Sequence, residues 1–179
     1  GIAGGALNFN GDDYVQITGL LNNPANITIS AWANLTSADT NGAELISLGD
    51  YVGLRLDQNE AAPFGLAGFY HYSGGWRPTR LGTNYAGTGW HHFAYVVDDA
   101  ANSQKLYVDG ALASATSYAE SIVYTGAGTN TFIGKHGNRG RTKDFFGKID
   151  EVKIYNRALP AEEVSKLYSL PGINCDTSG

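Results

Sequence analysis

An all-β fold, an antiparallel β-sandwich of two sheets with one short C-terminal helix, follows from three features of this 179-residue chain. Apolar residues alternate with polar ones in short runs, turn-forming residues separate those runs, and helical spacing is confined to one segment near the C-terminus. The 24 glycines and the charged fraction of only 16% fit a globular domain rich in tight turns, and not a disordered or coiled-coil chain. The length suits one domain with a sizeable core, placed at residues 1–170, with residues 171–179 a tail or linker remnant.

The elements follow in order. Leu7 and Phe9 alternate before the Gly11-Asp12-Asp13 turn, and Val15 and Ile17 alternate after it. Ile27 to Ala33, Leu45 to Leu48, Tyr51 to Asp57 and the aromatic-rich Phe64 to Tyr72 each read as strands. Trp90 to Val97 is the strongest β segment. Lys105 to Val108 and Ala111 to Ala113 flank Asp109-Gly110, a hairpin signal because both turn positions need positive φ. Thr131 to Gly134 and Ile149 to Tyr155 complete the set, about ten strands in all. The helix runs from Pro160 to Tyr168, with Pro suited to its first turn, Glu162 and Glu163 facing the positive dipole end, and Val164, Leu167 and Tyr168 on one face.

Composition also excludes partners. The net charge of −5 argues against nucleic acid, and the interrupted apolar runs are too short to span a membrane. The chain shows no signal peptide and no Met, so it reads as a mature or excised piece of something larger. Its one cysteine, Cys175, cannot bridge within the chain; it is a tail thiol or a link to a neighbouring domain.

Five segments in order resemble one family: Ala6 to Val15, Ile27 to Trp32, Gly89-Trp90-His91-His92-Phe93-Ala94, Leu106-Tyr107-Val108-Asp109-Gly110, and Gly147 to Leu159 with the helix after it. They are similar to the signatures of the laminin G-like, concanavalin A-like jelly rolls. The resemblance implies a jelly-roll domain of an extracellular or cell-surface protein, appended to an enzyme that acts on polysaccharides, of lectin-like carbohydrate-binding-module type and holding a structural calcium. Leu159-Pro160 departs from the Ser or Thr that usually caps the family's last helix, removing a cap worth about 1 kcal/mol. Trp32 and Trp90 match family signatures and read as core.

Asp150 motivates the metal expectation. Strict alternation along Phe146 to Tyr155 puts Asp150 on one face with Val152 and Ile154, and a buried carboxylate needs a cation or dense donors. Calcium takes six to eight oxygens, and in similar jelly rolls the closing strand lies near the first turn. The expected ligands are Asn10, Asp12 and Asp150, with Asp13 and Asp50 as lesser members. The alternative is that the turn acids are solvated and Asp150 caps backbone amides. The four histidines show no metal-ligand spacing.

Catalysis is not expected. No strand carries alternating carboxylates of glycosidase type, no Gly-x-Ser-x-Gly elbow exists, and the Gln-x-His strand of alginate-lyase relatives is absent. Two stretches exceed the needs of a scaffold. Tyr70, Tyr72, Trp76, Arg77, Arg80 and Tyr85 are the favoured sugar contacts, with Trp76 read as a loop aromatic beside a Gly pair that stacks on sugar C–H faces. Lys135 to Lys143, including Arg139 and Arg141, suits an anionic polysaccharide or oligosaccharide such as a uronic acid or sulfated sugar. The rival to a non-catalytic carbohydrate-binding module is an adhesion or interdomain module that binds protein or no ligand.

Overall fold

The computed structural model describes residues 1–126, 128–137 and 142–171. Among these, twelve strands form two antiparallel six-stranded sheets. The first sheet runs β1 (Leu7–Asn10), β12 (Phe145–Tyr155), β3 (Ile27–Ala38), β8 (His91–Asp98), β9 (Ser103–Val108), β10 (Ala111–Ser117). The second runs β2 (Val15–Thr18), β11 (Asn130–Ile133), β4 (Ala43–Leu48), β5 (Val52–Gln58), β6 (Gly65–Tyr72), β7 (Gly75–Leu81). Helix α1 (Ala161–Ser169) follows the last strand. The jelly-roll sandwich expected from the sequence is therefore present.

The alternating apolar residues meet between the sheets. Ile27, Ile29, Ala31, Ala33 and Leu35 of β3 are buried against Leu54 and Leu56 of β5 and Phe93 and Tyr95 of β8 in one cluster. The Asp109-Gly110 turn adopts positive φ at both residues, 50° and 77°, as a two-residue hairpin requires.

Two expectations are corrected. The stretch after Gly74 is strand β7, so Trp76 sits in a hairpin strand opposite His71 rather than in a loop. Only Ser73 and Gly74 connect β6 to β7, and β7 is an edge strand, where Pro78 costs no ladder hydrogen bond. The second correction concerns Asp150. The β12–β3 register shifts between Asp150, opposite Trp32, and Lys153, opposite Ser30. Glu151 bulges there with φ 51°. Ile149 and Ile154 both pack on the inter-sheet core, as does Val152. The bulge resets the alternation, so Asp150 points to the outer face and does not share a face with Val152 and Ile154.

The helix covers the centre of the outer face of the first sheet. Val164 and Leu167 of α1, with Leu159, bury against Ala94, Val96 and Tyr107. Tyr168 stacks on Trp32 with ring centroids 5.4 Å apart, so Trp32 lies under the helix and not between the sheets. As expected, Pro160 offers the helix no side-chain cap; its carbonyl accepts from Glu163 N at 3.0 Å and Val164 N at 3.1 Å.

Candidate functional site on the second sheet

Among the described residues, no helix covers the outer face of the second sheet. Since Val52, Leu54 and Leu56 fill the core, Gly53 and Arg55 must point outward. Strand register then aligns whole rows across this face. Glu44, Arg55, Ala67 and Arg80 form one row over β4, β5, β6 and β7, and Ser47, Gly53, Phe69 and Pro78 form the next. His71 and Trp76 form a third. Small residues alternate with large ones, and the face is hollowed into a groove of about 280 Å³. Its wall is Arg55, Phe69, Trp76 and Arg80, with Asp50, Glu60, His136 and Lys143 at the rim.

An ion network holds one end of the groove. Arg55 Nε donates to Glu44 Oε2 at 2.6 Å, and Nη1 donates to Glu60 Oε2 at 2.6 Å. The Arg55 guanidinium lies 4.8 Å above the Phe69 ring. His136 sits with Nε2 2.9 Å from Asp50 Oδ1 and Nδ1 3.5 Å from Glu44 Oε2. Lys143 Nζ reaches Glu60 Oε1 at 2.9 Å. Burial works against the charge on Glu44, but Arg55 and His136 overcome it and hold its carboxyl below the usual range. Burial likewise opposes charge on His136, yet Glu44 and Asp50 raise it to about 9. Burial of Glu60 is outweighed by Lys143 and Arg55, which keep it ionised. A Cβ at Gly53 would collide with both the Phe69 ring and the Glu44 carboxylate, so only glycine leaves room for this packing.

The other end is aromatic. Trp76 is 41% exposed. Its ring meets Phe69 edge-on at 5.4 Å and His71 edge-on at 5.0 Å, which fixes its orientation while leaving a flank open.

The sugar contacts expected from sequence separate by strand phase. Trp76 and Arg80 stand on the groove. Tyr70 and Tyr72 take the other face: Tyr70 is buried in the core, its hydroxyl donating to the Glu120 carbonyl, and Tyr72 packs against the same core. Arg77 lies 3.8 Å over the Tyr72 ring, and its Nε donates to Glu120 Oε2 at 3.0 Å. Tyr85 is buried edge-on to Phe93 at 4.9 Å. These four residues build the sandwich and are not presented in the groove. Arg139 and Arg141 lie outside the described residues, but the same stretch brings His136 and Lys143 to the groove rim.

Glu44, Arg55, Glu60 and Phe69 were not among the expected site residues. The signal lay in two apolar runs, Ala43 to Leu48 and Val52 to Leu56, each carrying one charge; Arg55 is on the non-core phase of its run, whereas Glu44 alternates in phase with Ile46 and Leu48 and is turned outward by the register shift between Glu44 and Ile46. Two opposite charges so placed are a cross-strand pair in waiting.

The expected calcium ligands are not gathered. Asn10 pairs with Phe146, four residues along β12 from Asp150 and hence roughly 13 Å from it. Asn10 Oδ1 accepts from Asp12 N at 3.0 Å in an exposed turn. Asp150 Oδ2 accepts from Ile2 N at 2.7 Å and Ala3 N at 3.3 Å, and Oδ1 accepts from Glu151 N at 2.9 Å. Asn10, Asp12 and Asp150 therefore do not fit one coordination sphere. Asp50, the lesser member, sits against His136 on the far sheet. Among the described residues, no group of three His, Cys, Asp or Glu side chains is clustered for a metal. Among them too, no helix is long and apolar enough to cross a membrane.

Comparison with known proteins agrees with the fold. The fourth domain of an extracellular GH43 arabinanase from Geobacillus stearothermophilus, solved with arabinotriose, is 23% identical, with TM-score 0.71 over 91% of this chain and 76% of that one. A sialidase CBM40 from Ruminococcus gnavus, bound to α2,3-sialyllactose, is 15% identical, with TM-score 0.69 over 91% and 96% of the two chains. A putative carbohydrate-binding protein from Bacteroides ovatus is 18% identical, with TM-score 0.69 over 90% of this chain and 46% of that one. No curated protein matches the sequence. The sequence pattern of the concanavalin A-like lectin/glucanases superfamily matches residues 9–165, and the chain belongs to that family.

Proposed function

We propose that this domain is a non-catalytic carbohydrate-binding module of a secreted, polysaccharide-acting protein, and that sugar binds in the groove on the outer face of the second sheet. The observation that carries this is Trp76. It is a large, exposed aromatic face, held edge-on by Phe69 and His71 beside a groove lined with Arg80 and Lys143. Such a ring offers its flat face to sugar C–H groups, and nearby cationic donors reach sugar oxygens. The structural likeness to domains solved with arabinotriose and sialyllactose supports the reading, and the arabinanase likeness supports the extracellular setting. A binding rather than hydrolytic role is supported by the groove carboxylates. Glu44 and Glu60 are both held ionised by neighbouring cations, so neither is the protonated acid that glycoside cleavage needs.

Affinity electrophoresis on a polysaccharide panel tests this. Trp76→Ala should abolish retardation by whichever polysaccharide retards the parent, with the melting midpoint little changed because the ring is half in water. Unaltered migration of that variant would instead favour the adhesion or interdomain role.

A further inference from the structure

We infer that the groove selects acidic sugars, and that Arg80 receives the sugar carboxylate while Trp76 stacks on a neighbouring ring. This rests on the sugar-binding reading above and names its ligand class.

The charge inventory of the groove points there. Glu44 and Glu60 are neutralised by Arg55, with Lys143 on the second oxygen of Glu60. Asp50 faces His136. Arg80 alone among the groove cations has no carboxylate within ion-pair distance among the described residues, and its Nε is buried without a hydrogen-bond partner. Its cross-strand neighbour is Ala67, and beyond Ala67 stands Arg55, whose charge is already matched. Arg55 and Arg80 are two strands apart, about 10 Å, with only a methyl group on the floor between them. The protein carries net charge −5, yet four cationic groups (Arg55, Arg80, His136, Lys143) meet three carboxylates (Glu44, Asp50, Glu60) here. The unmatched charge is a guanidinium, whose planar fork of donors matches a carboxylate. Trp76 lies four residues from Arg80 on the same strand and the same face, roughly 13 Å away. A short oligosaccharide can therefore touch both.

The test is affinity electrophoresis of the intact domain in gels containing alginate, polygalacturonate or hyaluronan (carboxylate), carrageenan (sulfate), and arabinan or laminarin (neutral). The inference expects retardation by at least one carboxylate polymer, lost when that polymer's carboxyls are chemically reduced. Arg80→Gln should weaken the interaction about ten- to a hundred-fold. Arg80→Lys should recover part of it, since charge returns without the fork. The reduced polymer keeps the test valid if an Arg80 variant folds poorly. Retardation by neutral polymers alone, sensitive to Trp76 but not to Arg80, would overturn the inference and leave the sugar-binding reading intact. Retardation by carrageenan alone would overturn the carboxylate assignment. Silence across the whole panel would overturn both.

Discussion

The two sheets share one core but turn opposite kinds of surface outward. On the first sheet the outer face carries Thr28, Trp32, His92, Ala94, Val96 and Tyr107, and α1 covers it with Val164, Leu167 and the stacked Tyr168. On the second it carries Glu44, Arg55, Phe69, Trp76 and Arg80, and stays open as a groove. A buried histidine on each side records the difference. His92, beneath the helix side, is pushed down to about 4 by burial, which the charge of Asp109 offsets only in part. His136 is equally hidden from water, yet carboxylates lift it to about 9. Burial alone therefore does not decide the charge of a group; what stands opposite it does. The first face is covered at its centre by apolar area, and the second is kept polar by paired charges.

The largest expected effect comes from breaking those pairs. Glu44→Ala leaves Arg55 buried against a missing partner, which typically costs about 3–5 kcal/mol. Urea unfolding should show that loss. Replacing both at once, Glu44→Leu with Arg55→Met, should recover part of it, because that pair becomes apolar like the first face while Glu60 and His136 each lose a partner. A Glu44→Ala variant within about 1 kcal/mol of the parent would show that the network contributes little and that the contrast between the faces is only cosmetic.

The two histidines should next divide the pH profile of stability between them. His136 has a raised folded pKa, so its stabilisation is fully present below about 6.5 and is lost as pH rises through about 9. His92 has a lowered folded pKa, so its penalty grows as pH falls from about 6.5 toward 4, where the unfolded chain takes the proton first. Each limb is worth at most about 3 kcal/mol. Melting midpoints against pH should fall on both sides, with His136→Gln flattening the alkaline limb and His92→Gln the acid one. If His136→Gln flattens the acid limb instead, the assigned charge state of the groove network is wrong.

This division also explains what the sequence could and could not reveal. Strand phase was legible wherever alternation was unbroken, as in Ile27 to Leu35, and so was the Asp109-Gly110 hairpin, because its chemistry is local. The groove was half legible. Trp76 and Arg80 stood out by residue type, but Tyr70, Tyr72 and Arg77 came with them, since reading Gly75 onward as loop discards the phase that sends alternate residues to opposite faces. Glu44 and Arg55 meet only through the β4–β5 register, which depends on pairing that no single run of residues displays. His136 and Glu44 are separated by about half of the chain and meet only in the folded sandwich.

Asp150 offers the smallest effect and the sharpest use of the comparison, because it lies on the helix-covered sheet where an ion was expected. Its carboxylate accepts three backbone N–H groups, two of them from the N-terminal segment. That is a donor set sufficient to hold a partly buried carboxylate without a cation. On this geometry EDTA followed by calcium should leave the melting midpoint where it was. Asp150→Asn should lower the midpoint by a few degrees, equally with and without calcium, reflecting a loss of about 1 kcal/mol as charged acceptors become a single neutral one. A midpoint that falls in EDTA and recovers with calcium, in the parent but not in Asp150→Asn, would reverse the assignment. The N-terminal segment would then be clipped to β12 by an ion rather than by its own amides, and the helix-covered face would depend on charge after all.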